Sequence, residues 1–253
     1  MGHSGEAFEA ARTLGPAGGA PVLLLCEHAS NAFPDVVGTL GLDEAVRMSH
    51  AAWDPGALAL AERLSESLGL PLVHGTVSRL IYDCNRPPEA PDAIPVQSEV
   101  HDIPGNRELS EADRARRVAL VYDPFTAAVE AAISSARPGA IVTIHSFTPV
   151  YFGTPREVEI GILYDRDTQL ADALLSQDWG GYKVRGNAPY GPEDGVTHTL
   201  KRHAVARGVP NAMFEIRNDL LANPVSREAV FRLISKNLVR ALDRFGITLE
   251  GAA

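Results

Sequence analysis

"PVLLLCEHASNAFP", residues 21–34, sets the fold class of this 253-residue chain. Five apolar residues, Val22 to Cys26, run without a polar break, and the chain then turns polar at once with Glu27, His28, Ser30 and Asn31. Such a run reads as a strand buried on both faces, the pattern of a parallel sheet covered by helices. "GAIVTIHSF" (139–147) repeats it, an apolar run delivering His145 and Ser146. "NAMFEIRND" (211–219) is a third strand and carries Glu215 and Arg217 near its end.

Helical patterns alternate with these strands. "DPGALALAERLSESL" (54–68) offers Asp54 as a helix cap, Pro55 in the first turn and Gly69 as a stop. "SEADRARRVALVYDPFTAAVEAAISSA" (110–136) starts on Ser110 and Asp113, and Pro124 kinks or divides it. Residues 168–176, 197–208 and 226–246 read as further helices, and 70–83, 157–165 and 182–187 as extended. Residues 84–108 are proline-rich and aperiodic, and loops of that length are uncommon unless functional. The alternation predicts an α/β fold, a three-layer α/β/α sandwich around a mixed, largely parallel central sheet. No linker divides it. Residues 21–253 are expected to form one domain, after a lead-in over 1–20 that is weakly ordered and at most partly helical.

Composition narrows the function classes. Hydrophobic residues make up 45% and charged residues 22%, ordinary values for a soluble globular protein. A formal net charge of −9 argues against a nucleic-acid or anionic membrane surface. Two cysteines, Cys26 and Cys84, make no disulfide framework. No apolar run approaches the roughly 20 residues of a membrane helix. The N-terminus lacks the layout of a secretory signal. The expectation is a cytoplasmic protein.

Ligands of open parallel sheets bind beyond the carboxyl ends of the strands. His28 and His145 stand at two such ends. Zinc takes imidazole nitrogen readily and needs three protein ligands in a catalytic site. A carboxylate would complete the set, and Asp54 is the candidate, although it reads equally as a plain helix cap. Either histidine alone reads as a core residue bonded to backbone. Glu215, in an otherwise apolar strand, needs a partner or a raised pKa. It reads as an ion-pair partner of Arg217 or as a general base beside a metal. Cys26 sits inside its apolar run and reads as a small core hydrophobe. Ser30 and Ser146 lack the G-x-S-x-G elbow of a serine hydrolase.

"LLLCEHASNAFP", "WDPGALALAERL", "VSRLIYDCNRP", "TIHSFTPV" and "NAPYGPEDGVTHTLKRHAVARGVPNAMFEIRNDL" together resemble the N-formylglutamate amidohydrolase family. The resemblance implies a phosphorylase/hydrolase-like fold of the zinc exopeptidase type, similar to zinc carboxypeptidases and zinc muramoyl-alanine amidases. It implies one Zn2+ held by His28, Asp54 and His145, with Glu215 as the base. Asp54 matches the early-helix carboxylate ligand of the muramoyl amidases. Carboxypeptidases take theirs three residues after the first histidine, here Asn31, and Glu27 and Asp83 are the rival carboxylates. The implied substrate is a small anionic N-acyl amino acid, with N-formyl-L-glutamate as the type, in cytoplasmic amino-acid metabolism such as histidine degradation. Its carboxylates need guanidinium forks. Arg79 and Arg86 are favoured, Arg156 and Arg217 are further candidates, and Asn85, Ser146 and Tyr190 are additional contacts. His198 falls where the family pattern has tyrosine. A peptide or cell-wall amide is the alternative substrate, and a non-catalytic binder of acidic metabolites is the alternative of another class. The sequence sets no oligomeric state.

Overall fold

The structure, a computed structural model, describes residues 8–249. Residues 1–7 of the expected lead-in and 250–253 of the expected domain lie outside the described residues. The strands are β1 (Ala11–Leu14), β2 (Val22–Cys26), β3 (Leu72–Gly75), β4 (Gln97–Ser98), β5 (His101–Asp102), β6 (Ala140–Phe147), β7 (Val150–Tyr151), β8 (Thr154–Pro155), β9 (Ile160–Leu163), β10 (Val184–Gly186) and β11 (Asn211–Arg217). The helices are α1 (Glu44–Met48), α2 (Ala57–Leu68), α3 (Glu111–Arg117), α4 (Asp123–Ala136), α5 (Gln169–Leu175), α6 (His198–His203) and α7 (Pro224–Asp243).

Seven strands form one sheet in the order β1-β3-β2-β6-β11-β9-β10, and β4–β5 and β7–β8 are separate hairpins. The four central strands β3, β2, β6 and β11 run parallel. β9 turns antiparallel against β11, β10 runs parallel to β9, and β1 is antiparallel to β3. The sheet is mixed and largely parallel, as expected.

Alternation along β2 explains why its run is apolar throughout. Val22, Leu24 and Cys26 enter one core with Leu60 and Leu64 of α2, Leu170 and Leu174 of α5, and Ile234 and Leu238 of α7. Leu23 and Leu25 enter the opposite core with Phe125 and Val129 of α4. A central strand between two covered faces has no polar side to show. The second face carries less helix than a symmetric sandwich would. Ala93, Ile94 and Ile103, from the aperiodic segment, pack there beside α4. That segment is therefore a structural layer that also walls the site. Among the described residues no helix is long and apolar enough to cross a membrane.

The structure departs from the sequence expectations at several elements. The lead-in contains β1, which hydrogen-bonds as an edge strand to β3 with Ala11 level with Gly75. The extended reading of 70–83 survives only as Leu72–Gly75. Beyond it a Cβ on Gly75 would collide with the Glu27 carbonyl, and the chain turns with Ser78 N–H on Ala32 O at 2.9 Å. α2 begins at Ala57, flanked by Gly56 at φ 84° without a side-chain cap, so Asp54 lies outside the helix and does not cap it. The 110–136 helix, by contrast, is divided as Pro124 predicts. A wide π-helical turn over Val118–Tyr122 separates α3 from α4, and Pro124 sits in the first turn of α4, where its missing N–H is harmless. The 197–208 helix ends at His203.

Candidate metal centre and active site

Because β2, β6 and β11 are adjacent and parallel, their carboxyl ends share one edge. Glu215 pairs in register with His145, so the two side chains project from neighbouring strands to the same face. Leu25 pairs with Thr143, and two further residues along that register set Glu27 level with His145. His28 follows on the next residue. Asp54 is tied to two of these elements: its N–H donates to the His28 carbonyl at 2.9 Å, and its Oδ2 accepts the Ser146 N–H at 3.2 Å.

The three predicted ligands converge. One ligand atom each from His28, Asp54 and His145 lies within 4.8 Å of the others, and all three residues are buried. His145 Nδ1 is 3.0 Å and His28 Nδ1 is 3.5 Å from Asp54 Oδ2. A tetrahedral ion with bonds of about 2.0–2.1 Å sets its donors about 3.3–3.4 Å apart, so the observed separations bracket that edge. His28 Nδ1 is buried and has no hydrogen-bond partner. The far nitrogens are held from outside: His28 Nε2 is 2.7 Å from Asp83 Oδ1, and His145 Nε2 is 3.0 Å from Glu27 Oε2. An imidazole fixed on one nitrogen by a carboxylate and offering the other inward is the usual environment of a metal-binding histidine. The rival carboxylates Glu27 and Asp83 stand behind the rings, on the side away from Asp54.

Charge supports the same reading. Burial opposes ionisation of Asp54 and Asp83, but His28 overrides it and holds both carboxyls below the usual range. His145 does the same for Glu27. Burial pulls both histidines down, yet Asp83 and Asp54 leave His28 above its ordinary value and Glu27 leaves His145 well above it. With neutral imidazoles, three carboxylates and Arg79 sum to a net charge of −2, which one divalent cation cancels. The residues present fit such an ion.

Glu215 stands apart from this network. It is 6% exposed, and its Oε2 has no partner. Burial pushes its pKa up to about 7, with Asp54 adding to the rise and His145 opposing it. The ion pair with Arg217 that the sequence allowed does not form. Arg217 turns away to Asp219 at 2.8 Å and Glu159 at 3.4 Å.

A cavity of about 520 Å3 opens over the cluster and is lined by every predicted site residue except Arg217. Arg79, favoured as a clamp, bonds Asp83 at 2.8 Å and reaches Asp54 at 3.4 Å, which keeps it charged and braces the His28–Asp54–His145 cluster. Arg86 Nε meets Asp92 at 2.6 Å, and its terminal nitrogens donate to the carbonyls of Gly195, Asp194 and Asn85. It fastens the 191–196 loop to the cavity edge. Asn85 joins it there through Val196 O and Thr199 N–H. The Ser146 hydroxyl donates to Pro55 O at 2.9 Å and so supports the Asp54 turn.

Arg156 differs. It donates to the Tyr190 hydroxyl at 2.8 Å and lies over the rings of Tyr151 and Tyr190 at 4.4 and 4.7 Å. It meets no carboxylate among the described residues. His50 and Glu99 also line the cavity, bonded to each other at 2.7 Å. No sequence signal singled out either one, because each reaches the cavity only through loop folding. His198 bonds the Tyr122 hydroxyl at 2.8 Å and is not part of the lining.

The family model of N-formylglutamate amidohydrolase matches residues 20–222. The chain is similar to the crystal structure of gene product Atu2144 from Agrobacterium tumefaciens, with 49% identity and a TM-score of 0.89 over 95% of this chain and 97% of that one. The N-formylglutamate amidohydrolase from Ralstonia eutropha JMP134 shares the fold at 20% identity and a TM-score of 0.67, over 95% of this chain and 100% of that one. Comparison with curated proteins gives no match. With most of its length matched by the family model, the chain belongs to the N-formylglutamate amidohydrolase family.

Proposed function

We propose that the chain is a zinc-dependent hydrolase that cleaves the amide of a small N-acyl amino acid, with N-formyl-L-glutamate as the first substrate to assay. The observation that carries this reading is Glu215: a buried carboxylate without a partner, paired in register with His145 and lining the same cavity as the His28–Asp54–His145 cluster. A non-catalytic binder has no use for such a group.

His28, Asp54 and His145 would hold the ion, and Asp83 and Glu27 would fix their rings. A bound zinc ion supplies polarisation of the scissile carbonyl and acidifies water toward a pKa of about 7. Glu215, raised to about 7 by burial, accepts a proton and releases it again near neutrality. It takes the proton of the attacking water and returns it to the leaving nitrogen, so the amine departs neutral and the base is restored. Arg156 binds the substrate carboxylate through a guanidinium oriented by Tyr151 and Tyr190. Arg79, fixed on Asp83 and Asp54 beside the cluster, favours negative charge developing on the amide oxygen through its field and without leaving its partners.

The test combines metal analysis with formate release from N-formyl-L-glutamate and related N-formyl amino acids. Glu215→Gln should keep one zinc per chain and lose about 10²–10⁴-fold in kcat. Full activity in that variant, or no hydrolysis of any N-acyl amino acid by zinc-loaded protein, would overturn the proposal.

A further inference from the structure

We infer that this cavity is built for an N-acyl amino acid with a single carboxylate, held by Arg156, and with a hydrogen-bond-donating or cationic side chain that faces Glu99. The inference rests on the hydrolase reading above and departs from the acidic side chain that the sequence resemblance implied. Its first ground is the state of the three cavity arginines. The Arg79 fork is engaged by Asp83 and Asp54, and the Arg86 fork by Asp92 and three carbonyl groups. To grip a ligand, Arg79 must leave the buried carboxylates of Asp54 and Asp83 uncompensated, which is strongly unfavourable, and Arg86 must release the part-buried carbonyls of Asn85 and Gly195 that hold the 191–196 loop. Of the three, Arg156 alone presents a guanidinium without an acidic partner; its Nη1 meets the Tyr190 hydroxyl and Thr148 O, and its remaining N–H groups suffice for one carboxylate.

The second ground is the wall that a longer side chain meets. Glu99 and His50 line the same cavity, with the Glu99 side chain only 13% exposed. Glu99 Oε2 lies 2.7 Å from His50 Nε2, and Oε1 accepts the Phe152 N–H at 3.4 Å. Its backbone sits at φ 50°, an uncommon conformation for a residue with a Cβ, at the turn between β4 and β5. The β7–β8 hairpin relates the two charges. Arg156 follows its base, with the Arg156 N–H on Pro149 O at 2.8 Å, and Phe152 at its tip meets Glu99. One wall thus carries positive charge at one end and negative charge at the other. A second carboxylate reaching from Arg156 toward the tip meets a like charge, whereas an amide N–H, imidazolium or ammonium meets an acceptor.

The test compares N-formyl-L-glutamine with N-formyl-L-glutamate, which are nearly isosteric. Zinc-loaded wild type should favour glutamine at least about tenfold in kcat/KM. Glu99→Gln should shrink that ratio, chiefly by lowering KM for glutamate. Arg156→Lys should weaken both substrates by a similar factor and leave the ratio in place. Calorimetric binding of L-glutamine and L-glutamate gives the same ranking without turnover. Absent hydrolysis therefore sinks the proposed function, while the binding ratio still decides the present inference. A preference for glutamate, a ratio unchanged in Glu99→Gln, or binding of neither amino acid overturns it.

Discussion

His145 and Glu215 reach the cavity from neighbouring parallel strands, one register pair across, whereas Arg156 and Glu99 reach it from two surface hairpins. On the floor, the β6–β11 ladder fixes His145 and Glu215, His28 follows β2 by two residues, and a second group holds each of the three clustered side chains: Asp83 behind His28, Glu27 behind His145, Ser146 N–H on Asp54. On the wall, ring stacking and single hydrogen bonds between loops do the positioning. The difference teaches a division of labour. Under the proposed function, rigid strand ends fix the geometry that a cation and a proton transfer demand, and loops set which substrate is admitted.

The comparison breaks most readily at the floor. His145→Ala or Asp54→Ala removes one of three donors, and dialysed protein should then hold no stoichiometric zinc and show no turnover above background. Full zinc content in either variant by metal analysis would mean that the floor is not a ligand set.

A pH experiment sharpens the contrast between Glu215 and its neighbours. Its carboxyl titrates near 7 in the metal-free fold against an ordinary value of 4.5. Between those pH values the native state keeps a proton that the unfolded chain releases. Stability from this group is present below about 4.5 and is lost as pH rises through about 7. The loss is on the order of 3 kcal/mol from a rise of about 2.5 pKa units. Urea unfolding of chelator-treated protein at pH 5 and pH 8 should show Glu215→Gln losing less stability across that window than wild type. An equal loss in both would remove Glu215 from this account.

The outer carboxylates should have an intermediate effect. Asp83→Asn and Glu27→Gln keep the shape and drop the charge behind each ring, so zinc affinity should fall about 10–100-fold in a competing-chelator titration. Unchanged affinity would leave them as structural partners only. The smallest effect belongs to Arg217, which lies outside the cavity on Asp219 and Glu159. Arg217→Ala should change kcat/KM by less than about twofold and stability by about 1 kcal/mol or less. A large loss of activity would extend the site beyond its present wall.

Much of the floor was legible in the sequence because its signal is local. Val22–Cys26 is apolar throughout, Ala140–Ile144 is broken only by Thr143, and the polar residues after them announce a strand end. Other features depended on distant partners. Asp54 read equally as cap and ligand until Gly56 took the helix boundary. Glu27 and Asp83 separate from the ligand set only through the register that sets Glu27 level with His145 and the turn that brings Asp83 behind His28. The arginines misled because a sequence does not show a guanidinium's partners. Arg86 bonds the carbonyl of Gly195, more than a hundred residues away. β1 was hidden because "ARTL" has no apolar stripe, and it pairs with β3 through its backbone.

Anomalous diffraction at the zinc edge from crystals of zinc-loaded protein tests the central claim most directly. One peak per chain is expected, within bonding distance of His28 Nδ1, His145 Nδ1 and Asp54, with Glu215 facing the open side and Glu27 and Asp83 outside the ligand set. A peak bound by Glu27 or Asp83, or zinc held only elsewhere on the chain, would contradict the account.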